Sequence, residues 1–125
     1  MALIAIDVGG TKIAGALFSG EGHISEKIVD PVGSRKGKEV GDLICTQIKN
    51  LIKKNKKIDA IGVSIPGIYF SEKGTVWAPN IAGWESYPLK DHIQQEFRNV
   101  PVTIDSDRSC YILGEVWKGN AQGCK

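Results

Sequence analysis

Three stretches of this sequence combine residue types that handle phosphate, protons and hydroxyl groups. Asp7-Val8-Gly9-Gly10-Thr11-Lys12 joins two apolar runs. Two adjacent glycines let a backbone turn tightly and aim several N–H groups at one anion. Lys12 adds a positive charge, and Asp7 is suited to hold a hydrated Mg²⁺. The same residues equally suit a glycine hairpin whose charges face water. No GxxxxGK[ST] loop occurs, so a helix-capped P-loop is excluded as a source of phosphate binding.

Asp105-Ser106-Asp107-Arg108 falls where a strand is expected to pass into a helix. There a side chain can simply cap the helix N-terminus. The alternative is a carboxylate kept ionised near that N-terminus and ready to accept a hydroxyl proton. Pro79-Asn80-Ile81-Ala82-Gly83-Trp84 offers an amide able to donate and accept to two neighbouring sugar hydroxyls, although Asn80 is also an ordinary turn residue. Gly62-Val63-Ser64-Ile65-Pro66 falls short of a GxSxG elbow, and no nearby His completes a triad, so a hydrolase is not expected.

The elements that must position these residues follow from periodicity. Ala2 to Val8, Lys12 to Phe18 and His23 to Asp30 read as a meander of strands, the first of them central and buried on both faces. Val40, Leu43, Ile44, Ile48, Leu51 and Ile52 form one stripe of a helix ending near Asn55, with a cluster of lysines solvated at its C-terminus. Ile58 to Ser64 is a strand stopped by Pro66-Gly67, and Thr75-Val76-Trp77 a short one. Pro88 to Arg98 is a short helix, Pro101 to Ile104 a further strand, and Asp107 to Lys118 a helix with Gly119 at its C-cap. This order predicts an α/β fold with a mixed five-stranded sheet and helices on both faces. Asp7, the Pro66-Gly67 turn and Asp107 should then converge at the strand ends. Trp77, Trp84 and Trp117 are expected in or near the core, and His23 and His92 as isolated surface or strand-edge residues.

The chain has 125 residues, 42% hydrophobic and 24% charged, with a formal net charge of +2. Such values fit one globular domain and give no reason to expect nucleic acid as a partner. Three widely spaced cysteines, Cys45, Cys110 and Cys124, form no CxxC pair. They encode no recognisable zinc motif and favour a reducing cytoplasm. Neither a signal peptide nor a membrane span is expected.

In order and spacing, Asp7-Val8-Gly9-Gly10-Thr11-Lys12, Gly62-Val63-Ser64-Ile65-Pro66-Gly67, Ala78-Pro79-Asn80-Ile81-Ala82-Gly83-Trp84 and Asp105-Ser106-Asp107 closely resemble the N-terminal domain of ROK-family sugar kinases. The resemblance spans essentially residues 1–125 and implies a ribonuclease-H-like fold of the actin-like ATPase superfamily. It also implies phosphorylation of a hexose or related sugar by ATP with Mg²⁺. Asp107 would be the general base. Asn80 and Asp107 would hold the sugar beside Ser106, and the Gly67 turn would form part of the pocket wall. Gly9, Gly10, Thr11 and Lys12 would face the ATP phosphates, with Asp7 near the metal.

Where the family usually has Glu-Asn before its catalytic aspartate, this chain has Asp105-Ser106, and a serine hydroxyl cannot bridge a diol as an amide does. The family's second glycine-rich loop, adenosine pocket and His/Cys zinc motif belong to its other half, so structural zinc is expected only there. The isolated chain is accordingly expected to bind weakly and turn over little. The resemblance leaves open a homo-oligomer. Two alternatives remain: a sugar-sensing domain like that of the family's repressors, and an interaction module. The repressors carry a DNA-binding segment before their first strand, whereas Met1 here leads almost directly into one, which favours the kinase.

Overall fold

The computed structural model describes residues 2–18, 24–53 and 58–106. Strands β1 (Leu3–Val8), β2 (Lys12–Phe18) and β3 (Ile24–Pro31) lead into helix α1 (Lys38–Ile52). Strand β4 (Ala60–Ile65), hairpin strands β5 (Ile68–Phe70) and β6 (Thr75–Trp77), helix α2 (Leu89–Glu96) and strand β7 (Val102–Ser106) follow. The main sheet has the order β3-β2-β1-β4-β7. The first three strands pair antiparallel, while β4 and β7 run parallel to β1. This is the expected mixed five-stranded sheet with β1 at its centre.

Burial alternates along the strands. Ile4, Ile6 and Val8 of β1, Ile13 and Leu17 of β2, and Ile61, Val63 and Ile65 of β4 are all buried in one core. On the other face Leu3 and Ala5 are half-buried and Asp7 is exposed. The expectation that β1 is buried on both faces is therefore corrected, because short side chains such as Ala5, Ala14, Ala16 and Gly62 occupy that second face. Both described helices lie on the first face, α1 against β1 and β2 and α2 against β7. The helix expected over 107–118 lies outside the described residues, as do Trp117 and His23.

α1 buries Val40, Ile44, Cys45, Ile48 and Leu51, with Leu43 and Ile52 at the margin. Gln47 joins this stripe, and its amide nitrogen donates to the Ile13 carbonyl at 2.8 Å and to Asp30 Oδ2 at 2.9 Å. Strand β5 is an addition to the expected elements; at three residues it is too short to show periodicity, and only pairing with β6 defines it. Trp84 is in the core as expected, but Trp77 is 41% exposed, because the outer face of the β5–β6 hairpin carries it with Ile68 and Phe70.

His92 is neither isolated nor superficial. Its ring is enclosed between the helices, with Nδ1 on the Tyr87 hydroxyl and Nε2 3.1 Å from Asp42 Oδ1. Tyr87 stacks on Trp84 with ring centroids 4.8 Å apart. Burial, reinforced by Asp42, pushes the Tyr87 hydroxyl up to about 12. Burial, with the charge of Glu96 beside it, does the same to the Cys45 thiol, also to about 12. Lys49, in the last turn of α1, is bonded to Glu96 at 2.7 Å. Among the described residues no helix is long and apolar enough to cross a membrane.

Candidate functional site

Parallel register brings Asp7 of β1 opposite Ser64 of β4, and Ser64 opposite Asp105 of β7. Adjacent strands lie about 4.8 Å apart, so the three residues form a row spanning about 10 Å on the face away from α1. Asp7 is exposed, Ser64 buried and Asp105 half-buried. This is the carboxyl end of the parallel strands, where open α/β sheets place their ligands. Ser64, which lies within one of the resembling motifs but is not among the expected site residues, belongs to this row; its strand register was the missing signal. Tyr69 stands nearby on β5. Its hydroxyl pKa is raised first by burial and then by the negative charge of Asp105, so it remains a protonated phenol beside the acidic row.

The loop 9–11 closes the β1–β2 hairpin at this same end. The Gly9 N–H donates to the Lys12 carbonyl at 2.9 Å, and the Val32 N–H donates to the Thr11 carbonyl at 2.8 Å. The Gly9 amide thus closes the hairpin, while Gly10, at its tip, has no such bond among the described backbone contacts. Gly10, Thr11 and Lys12 are exposed. A Cβ on Gly10 would lie 3.2 Å from Asn80 Cβ, so the hairpin tip and the 79–83 loop touch directly. That contact joins two of the expected site segments.

Asn80 owes its position to a closed loop. Ala78 N–H donates to the Trp84 carbonyl at 2.8 Å, and Ile81 N–H to the Ala78 carbonyl at 3.0 Å. The loop is tied to the start of α1, where Trp84 Nε1 donates to the Gly37 carbonyl at 2.9 Å and the Gly37 N–H to the Ala82 carbonyl at 2.7 Å. With Trp84 locked in the core, Asn80 is held exposed at the loop's tip. Gly67 has a different constraint: a Cβ there would meet the Trp77 carbonyl oxygen at 2.0 Å. Only glycine lets the turn after β4 pass so close to the end of β6. Gly67 therefore joins β4 to the hairpin that leads to Asn80.

β7 runs to Ser106, which pairs with Ile65 next to the Pro66-Gly67 turn. Asp107 lies outside the described residues. Asp7, Gly9, Gly10, Thr11, Lys12, Gly67, Asn80 and the end of β7 are therefore the expected site residues that lie at this end of the sheet.

The sheet order and crossovers define an actin-like ATPase fold of the ribonuclease-H type. A ROK family glucokinase from Streptomyces griseus, solved with glucose and AMPPNP, superposes with a TM-score of 0.82 at 30% identity over 98% of this chain and 38% of its own. The chain belongs to the ROK family, whose profile matches residues 3–125. It is 34% identical to a glucokinase from Halalkalibacterium halodurans, over 98% of this chain and 38% of that protein. It is 38% identical to a xylose repressor from Caldicellulosiruptor bescii, over 94% of this chain and 30% of that protein. The chain thus spans well under half the length of these relatives.

Proposed function

We propose that this chain is the N-terminal domain of an ATP-dependent hexose kinase, contributing the sugar-binding wall and part of the phosphate-binding wall of a cleft. The observation that carries this reading is the contact of Gly10 with Asn80 at the end of the sheet where β7 leads into Asp107. It supports reading the hairpin tip, Asn80 and the end of β7 as parts of one site.

Asp107 takes the proton of the sugar's terminal hydroxymethyl as that oxygen attacks the γ-phosphorus and the bond to ADP breaks. Asn80 and Ser106 hold neighbouring hydroxyls, which orients the attacking oxygen, and orientation supplies much of the rate in such reactions. Asp7 is an exposed carboxylate and Lys12 an exposed cation, so the donor set suits a magnesium nucleotide. Mg²⁺, when bound, neutralises charge on the phosphates. Thr11 and Lys12 face those phosphates, and Gly10 keeps the hairpin tip low enough for them to approach. Nucleic acid and membrane have no part in this reading, and the cytoplasm is its setting.

The 38% identity to a xylose repressor supports a second reading, a sugar-sensing domain without turnover. An ADP-release assay on the full-length protein separates the two. Sugar-dependent ADP release supports the kinase, whereas saturable sugar binding without ADP release assigns the domain to sensing. The isolated chain should release little or no ADP, and rapid turnover by it would refute the division of the cleft between two domains.

A further inference from the structure

Between α1 and α2, on the other side of the sheet from the acidic row, three metal-ligating side chains converge. Cys45 of α1 and His92 and Glu96 of α2 each offer one ligand atom, all within 4.8 Å of one another. His92 and Glu96 are one turn apart on the same helix face, as are Asp42 and Cys45 on α1. The His92 ring is pinned at Nδ1 by the Tyr87 hydroxyl, leaving Nε2 turned toward Asp42 Oδ1 at 3.1 Å and Glu96 Oε2 at 4.0 Å. An imidazole fixed through one nitrogen and presenting the other to ligands is how metal-binding histidines are held.

A sulfur, an imidazole nitrogen and a carboxylate oxygen form a donor set for zinc-class ions, whereas Mg²⁺ and Ca²⁺ require oxygen. We propose that Cys45, His92 and Glu96 bind one zinc-class divalent ion, with Asp42 or water as the fourth ligand, and that this ion clasps α1 to α2. Ligand atoms around tetrahedral zinc are roughly 3.3–3.8 Å apart, so side-chain adjustments of about an ångström close the site. Cys45 gives its thiol proton to solvent as the sulfur–metal bond forms.

The sulfur is at the buried end, since Cys45 is 2% exposed. The Asp42 side chain is 55% and that of Glu96 32% exposed, so the ion enters from the carboxylate side. Lys49 engages Glu96 Oε1 while Oε2 faces His92, which leaves one carboxylate oxygen for the ion. Because α2 packs on β7, the clasp would brace the strand that leads to Asp107.

The test is a Co²⁺ titration of the chain carrying Cys110→Ser and Cys124→Ser, which leaves Cys45 as its one thiol. The expected result is saturation at one ion per chain, with tetrahedral d–d bands, a sulfur-to-cobalt charge-transfer band, and displacement by Zn²⁺. His92→Ala should weaken binding by roughly 100-fold or more, and Cys45→Ser should abolish the charge-transfer band. Glu96→Gln, at a partly exposed position, guards against unfolding: it should weaken Co²⁺ binding while the far-UV circular dichroism is unchanged. No saturable binding, or spectra and affinity unaltered in His92→Ala and in a folded Glu96→Gln, would overturn the site and leave the seam a set of hydrogen bonds.

Discussion

The two faces of the central sheet are built on opposite rules. Under the helices, Ile4, Ile6, Ile61, Val63 and Ile65 are fully buried branched side chains. One residue along each strand, the other face carries Leu3, Ala5, Asp7, Gly62, Ser64, Thr103 and Asp105, mostly small or polar and in part exposed. A strand's side chains alternate, so the same five or six residues hold the domain together on one face and offer functional groups on the other. Substitutions on the first face should register mainly as lost stability, and those at the end of the second mainly as lost chemistry.

The largest effect should come from the residue that follows β7. If the full-length protein is the proposed kinase, Asp107→Asn should lower its kcat by on the order of 10²–10⁴, the usual contribution of a general base, with the melting temperature nearly unchanged. A coupled ADP assay reads this, and near-normal turnover would remove Asp107 from the role. Next in size, Ile61→Ala on the packed face should cost about 2–5 kcal/mol by denaturant unfolding, since it leaves a cavity where nothing can collapse. Thr103, exposed on the other face of β7 and paired with Gly62, should cost under about 1 kcal/mol when changed to Ala. Equal costs at the two positions would break the contrast between faces.

A smaller effect is expected at Asn80. Asn80→Ala should weaken sugar binding by roughly 1–3 kcal/mol in calorimetry, the cost of leaving sugar hydroxyls unpaired. Stability should barely change, because Trp84 and the loop's backbone hydrogen bonds, not the Asn80 side chain, hold the loop. Unchanged affinity would return Asn80 to the ordinary turn residue that its local sequence also allows.

Much of this was legible in the sequence because local patterns reported it. The three-strand meander, the central place of β1, the stripe of α1 and the Pro66-Gly67 stop all survive in the fold, and the later strands run parallel to β1 as the alternation of elements implied. What stayed hidden depends on partners distant in sequence. Nothing around Ser64 reveals that register sets it between Asp7 and Asp105. His92 looked isolated because Tyr87, five residues away, gives no ligand signature, and Asp42 and Cys45 reach it only through helix packing. Gly9 reads as well as an anion donor as a hairpin residue because its bond to the Lys12 carbonyl is set by the closing of the hairpin, not by its own residue type.

A small predicted change in stability at the hairpin tip sharpens the comparison most. At Gly10 an added methyl would lie 3.2 Å from Asn80 Cβ and 3.4 Å from the Asn80 carbonyl oxygen, tight by only a few tenths of an ångström. Both the hairpin tip and the 79–83 loop are at the surface, so they can separate slightly, and Gly10→Ala should cost less than about 1 kcal/mol. That separation nevertheless moves Asn80 relative to the hairpin tip. Where two substrates must meet in line, a displacement well under an ångström already lowers the rate. On the proposed kinase reading, Gly10→Ala in the full-length protein should therefore reduce kcat/KM for sugar several-fold while the unfolding midpoint stays near that of the parent. Were the midpoint to fall and kcat/KM to hold, the contact would belong to the packing of the fold, and the junction of hairpin and loop would lose its claim to be the place where sugar and phosphate meet.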